Sequence, residues 1–163
     1  MYILPILLVA GCGGGNKSET SGTTTEQKAQ QTATVEQTQA TAQGEQVSEF
    51  GVGPIQEPLN LPETIDEALA KKGEELFDKK GCTACHELDN RKVGPPLRDV
   101  VNQRPPEWIM NMIINPEEMI LKDPVAKKLL EEYGVPMTNQ NVSKDEARAI
   151  LEFLRKAAKE KKN

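Results

Sequence analysis

The chain has 163 residues, a net charge of -5, and 37% apolar but only 4% aromatic residues. That length admits one modest domain, and the acidic balance supplies no basic surface for nucleic acid. Three cysteines and a single histidine, His86, leave little room for metal chemistry built from Cys and His alone.

The chain opens on an apolar run, Met1 to Gly11, that ends in Leu8-Val9-Ala10-Gly11-Cys12. The run is far short of the roughly 20 residues that span a bilayer. It resembles the lipobox of bacterial lipoproteins, which implies a signal peptide over 1-11, cleavage before Cys12 and acylation of the Cys12 thiol. No Lys or Arg precedes the apolar stretch, a departure from the usual charged start that points to an origin upstream of Met1.

From Gly13 to about Glu57 the composition turns to Gly, Ser, Thr, Gln, Ala and Glu, too polar to offset chain entropy by burial. Residues 12-59 are therefore expected to form a flexible linker, with a span of about 35 to 40 Å for about 45 residues. Pro54, Pro58 and Pro62 stiffen its end. The linker holds Glu19, Glu26, Glu36, Glu45, Glu49 and Glu57 against Lys17 and Lys28, which accounts for -4 of the total charge. Residues 60-163 are left as one nearly neutral domain, whose clusters Lys79-Lys80 and Arg91-Lys92 read as solvated faces.

The first predicted helix runs from Thr64 to about Lys80, with Ile65, Leu69, Leu76 and Phe77 at helical spacing and Gly81 at the stop. Cys82-Thr83-Ala84-Cys85-His86 follows at once. Two thiols and an imidazole at this spacing are what covalent attachment of a c-type haem requires: the sulfurs add to the two vinyl groups and the histidine reaches the iron. A structural zinc site is excluded for want of ligands, since Cys12 lies far upstream and no second Cys-x-x-Cys exists. A redox dithiol would sit in an α/β pattern that is missing around these residues. Attachment of c-type haem outside the cytoplasm agrees with export, and a porphyrin gives a small domain an apolar plate on which to pack.

A second helix is predicted from Pro105 or Pro106 through Asn115, carrying Trp108, Ile109, Met112 and Ile113 on one face. A third begins with Asp123 as cap and Pro124 in its first turn and ends at Tyr133 before Gly134. The last carries a capping box, Ser143 and Glu146, and a stripe of Ala147, Ile150, Leu151 and Leu154. No strand signal of like quality occurs, so the fold class is all-α. With His86 used once and no other histidine, bis-histidine ligation within one chain is impossible, which leaves Met, Lys, Asn, water or an empty site, with methionine the natural candidate. Met110 and Met112 fit helix packing, whereas Met137 sits in the loop Gly134-Val135-Pro136-Met137-Thr138-Asn139, with Met119 as the second choice.

From residue 64 to 157 this order of motifs resembles class I monohaem cytochrome c: a first helix, Cys-x-x-Cys-His, Gly94-Pro95-Pro96-Leu97, a Trp helix, a Met loop and a last helix. The resemblance implies a fold of four to five helices around one covalently attached haem c. It implies that the Pro95 carbonyl accepts a hydrogen bond from His86, that Arg104 and Trp108 bind a haem propionate, and that Gly73 and Phe77 face Ile150 and Phe153 or Leu154. Relatives often place proline after the ligand methionine, whereas here Pro136 precedes Met137.

These readings together lead us to expect an electron carrier rather than an enzyme, lipid-anchored to a bacterial membrane on the periplasmic side. Its expected partners are redox proteins such as a quinol-oxidising complex and a terminal oxidase or reductase; residues 115-140 also look like haem domains that serve periplasmic reductases. Two other classes are carried beside it: a ligand-binding haem protein (gas sensor or peroxidase-like), which needs an open sixth site, and a fixed haem subunit of a larger complex.

Overall fold

A computed structural model describes residues 47-160. Cys12 and the apolar run before it lie outside the described residues. Six α-helices follow in order: α1 (Glu67–Lys79), α2 (Val100–Gln103), α3 (Pro106–Ile114), α4 (Pro116–Lys122), α5 (Pro124–Tyr133) and α6 (Lys144–Lys159), with a 3-10 turn at Cys82–Ala84 after α1. The described residues contain no strand, only an isolated bridge between Ser48 and Gly51. The fold is all-α, as its sequence pattern implies.

Local chemistry sets the helix ends. Asp66 caps α1 by accepting from the Leu69 amide at 2.9 Å, which starts the helix three residues later than the apolar spacing suggests. Asp123 Oδ1 accepts from both Val125 and Ala126, Pro124 fits the first turn where no amide donor is needed, and Gly134 closes α5 at φ 71°. Ser143 and Glu146 form the reciprocal capping box of α6. The short α2 and α4 are additions to the expected set: Asn115 and Pro116 start α4, and Glu117 and Glu118 lie in its first turn, where the helix dipole favours acid.

The main helix pair is α1 against α6. Gly73 makes it possible, because a Cβ there would drive into the Ala149 carbonyl of α6. Phe77 meets Phe153 at 5.4 Å between ring centres, one turn further along the same seam. At the other end of the seam the buried Glu152 carboxylate accepts from the Asp66 amide at 3.0 Å, from Arg148 at 2.6 Å and from Arg155 at 2.9 Å. Arg155 reaches on to the Pro62 carbonyl and Lys159 to that of Glu63. The charge on Glu152 is thereby satisfied on all sides, which a buried carboxylate requires.

The expected boundary near residue 60 is corrected by the packing of residues 47-59. Ile55 is 3% exposed and belongs to the core. Buried Asn111 on α3 accepts from the Ile55 amide at 3.0 Å and donates to the Phe50 and Ile55 carbonyls at 2.8 Å each. Glu107 accepts from the Leu59 amide at 2.6 Å, and the Met119 sulfur from the Val52 amide at 3.0 Å. Gly51, at φ 75°, lets the backbone lie directly on Met119 and Trp108. This strap belongs to the domain because side chains on α3 and α4 supply the partners its polar backbone groups need.

Candidate functional site

Between α1 and α2 the chain builds one wall of an apolar cavity. Gly81, at φ 77°, turns the chain out of α1, and the 3-10 turn is closed by the amides of Cys85 and His86 on the Cys82 carbonyl at 3.1 and 2.9 Å. Both thiols are free; Cys82 is half-buried and Cys85 exposed. Burial raises the Cys82 pKa, so its sulfur is held as a neutral thiol in an apolar setting.

The segment after the motif folds back on it. The Gly94 amide donates to the Cys85 carbonyl at 2.8 Å, Leu97 to Glu87 at 3.0 Å and Arg98 to Leu88 at 2.8 Å. This brings the Pro95 carbonyl to 2.9 Å from His86 Nδ1, which donates to it. The ring then has its Nδ1 proton committed and the Nε2 lone pair available. Burial lowers the His86 pKa, against a smaller opposing effect of the Pro95 bond, and so favours the neutral, ligating imidazole. Gly94 is needed here, because a Cβ would come within 2.5 Å of His86 Cε1.

The cavity gathers Cys82, Cys85, His86, Pro95, Trp108 and Met137 from the residues singled out in the sequence. Arg104 is not on its wall; its guanidinium lies 5.7 Å from the Trp108 ring centre, and its side chain donates only to the Gln103 carbonyl. Met112 lines the cavity, whereas Met110 is packed in the core. Met119 faces the strap instead, its sulfur engaged by Val52, while its neighbour Ile120 lines the cavity. Ile120, Leu129 and Tyr133 add apolar wall that sequence spacing did not assign to a site.

Trp108 Nε1 is the single buried side-chain donor among the described residues with no partner. An orphaned buried N–H costs about 1–3 kcal/mol, and Trp108 lines the cavity, so a bound group that brings an acceptor to the indole would relieve that cost. Haem fits this donor set. Cys82 and Cys85 would hold its edge, His86 and a thioether would serve the iron, and an acidic propionate would answer the indole N–H. Among the described residues no group of three or more His, Cys, Asp and Glu side chains is arranged to hold a metal ion by itself.

The family described as cytochrome c matches residues 70–158. Among solved structures, cytochrome c from Rhodothermus marinus superimposes with a TM-score of 0.66 at 49% identity, over 69% of this chain and 96% of that one. Cytochrome c-551 of Stutzerimonas stutzeri is 54% identical over 33 residues, 20% of this chain and 32% of its own length. That of Ectopseudomonas mendocina is 30% identical over 83 residues, covering 50% of this chain and 93% of its own length. With the first of these curated relatives the match thus spans about a third of the relative's length.

Proposed function

Because the chain belongs to the cytochrome c family, and so takes one covalently attached haem c, we propose that it is a single-electron carrier whose iron is held by His86 and Met137. When bound, haem supplies the Fe(III)/Fe(II) couple; the rest of the chemistry falls to this chain's residues. The observation that carries the reading is the His86 ring, held by the Pro95 carbonyl in the ligating tautomer on the wall of a cavity that also contains Met137.

The residues suit electron transfer better than catalysis. His86 is the sole histidine of the chain and is committed to the iron, so no imidazole remains to act as acid or base. The apolar walls keep water from the iron, and with a thioether ligand they favour the reduced state. Trp108 Nε1 would orient a propionate, with Arg104 acting from outside the cavity through the indole face.

No helix among the described residues is long and apolar enough to cross a membrane. The Leu8-Val9-Ala10-Gly11-Cys12 segment supports attachment through a lipidated Cys12 on the periplasmic side. From there the domain would pass electrons between a quinol-oxidising complex and a terminal oxidase or reductase. Replacement of Cys12 by Ala should move the protein from the membrane to the soluble fraction; continued membrane attachment would refute lipidation at this residue.

The ligand set is tested on the matured protein by optical spectra, oxidised and reduced, with and without carbon monoxide. The wild type should be low-spin, show the thioether-to-iron charge-transfer band and ignore carbon monoxide. Met137→Ala should lose the band and bind the gas. A high-spin wild type that takes up carbon monoxide would overturn the carrier reading in favour of ligand binding.

A further inference from the structure

The loop that carries Met137 joins α5 to α6 and has little of its own to hold its shape. Its internal side-chain bonds reach only two residues along the chain: Gln140 donates to Thr138 Oγ1 at 2.8 Å, and the Asn141 amide to Asn139 Oδ1 at 2.8 Å. Gly134 and Asn141 take left-handed φ values of 71° and 51°, and Val135 is 51% exposed. The loop's one buried residue is Val142 at the far end, 6% exposed in the core; the stretch from Gly134 to Asn141 holds no buried residue and opens readily unless something outside it ties it down.

Two cations do so, one at each end. At the far end, Lys80 Nζ donates to the Asn141 carbonyl at 2.9 Å and pairs with Glu146 of the α6 capping box at 2.9 Å. At the near end the tie is to the last turn of α5, just before the loop begins: Arg91 donates to the Glu132 carbonyl at 3.3 Å while its guanidinium carbon lies 4.2 Å from the Tyr133 ring centre. Lys80 immediately follows α1 and Arg91 lies in the segment after the haem motif, so the two flank Cys82-Thr83-Ala84-Cys85-His86 in sequence. The segment that anchors the haem thus also clamps the segment that supplies the methionine.

We infer that Lys80 and Arg91 are positioning residues that clasp the Met137 loop to the haem-attachment segment and set how readily an outside ligand displaces the Met137 thioether. The inference rests on the His86/Met137 reading. Displacement exchanges one neutral donor for another at the ferric iron, with no change of oxidation state, and it requires the loop to open. An entering ligand binds in proportion to the open population, so each lost clasp tightens its apparent affinity. Both ties are exposed to solvent, so each lost bond is worth about five- to tenfold in that population rather than the larger effect of a buried charge-assisted bond.

The test is an imidazole titration of the ferric, haem-loaded full chain, followed by loss of the thioether charge-transfer band. Amide exchange at Asn141 and Met137 provides the readout that does not depend on the iron. Lys80→Gln and Arg91→Gln should each tighten imidazole binding about five- to tenfold and speed exchange in the loop. Lys80→Arg should stay near wild type. Lys122→Gln, which breaks a surface pair with Glu118 on α4, should not differ from it. If both clasp variants keep wild-type imidazole affinity, the inference is overturned, even if their melting points fall. Failure of the ligand reading shows elsewhere: the band would be missing from the wild type or would survive Met137→Ala.

Discussion

Asn111→Ala tests whether the strap of residues 47-59 is part of the domain. The side chain is fully buried and makes three hydrogen bonds to strap backbone, two of them with Ile55. At about 0.5–1.5 kcal/mol each, the three bonds are worth roughly 1.5–4.5 kcal/mol. Groups left without partners in place would cost more, but the strap can detach and return them to water. The loss is then capped near the free energy of docking the strap, of which burying Ile55 supplies roughly 1.5–3 kcal/mol. We therefore expect a destabilisation of about 3 kcal/mol, a fall in Tm of at least about 10 °C on the usual scaling for a domain near this size. Denaturant unfolding of the haem-loaded protein gives the magnitude. Amide exchange locates it: protection should vanish at Ile55 and Val52 while α6 keeps its own. A loss under about 1 kcal/mol, or an Ile55 amide that stays protected, would refute the assignment of the strap to the core.

Gly73→Ala should destabilise the domain by about 2 kcal/mol or more in the same assay, although alanine is the better helix former by about 1 kcal/mol, because its Cβ meets the Ala149 carbonyl. Stability should also fall in acid. The Lys80 ammonium, with the Ser143 amide, holds Glu146 down to about 2 from an ordinary 4.5, so its contribution is complete above about 4.5 and fades as the pH drops towards 2. Glu152 adds to this: burial pushes its pKa up, but the Asp66 amide and the two arginines outweigh that and leave it below the ordinary value. Melting against pH should show the decline, and Glu146→Gln should flatten it below pH about 4.5; an equal decline in the variant would refute the assignment.

Features written in neighbouring residues were readable from the sequence. The caps at Asp123 and Ser143, the glycine stop at Gly134 and the spacing from Cys82 to His86 each act within a few positions, so the chain states them directly. The α4 helix escaped because seven residues give too little periodicity to register. The strap escaped for a different reason. Glycine, proline and glutamine around Gly53-Pro54-Ile55-Gln56 read as linker, and the partner that orders them, Asn111, lies 56 residues away from Ile55. Lys80 and Arg91 read as solvated charge for the same cause: their acceptors are backbone carbonyls 61 and 41 residues downstream, and a carbonyl leaves no mark in a sequence.

The same distinction bears on how the site stays intact. The proximal side of the cavity is short-range and redundant: the turn at Cys82, the backbone pairs from Cys85 to Arg98 and the Pro95 bond each link residues about ten positions apart or fewer. The side that carries Met137 depends on bonds made across the fold, and its loop is exposed. Opening under stress should therefore begin at the Met137 loop while His86 stays in place, since local free energies of opening follow burial and the number of long-range ties. A carrier benefits from this order. On the proposed His86/Met137 ligation, the thioether that would be lost returns once the loop recloses, and attachment through Cys82 and Cys85 would keep the haem in register until it does.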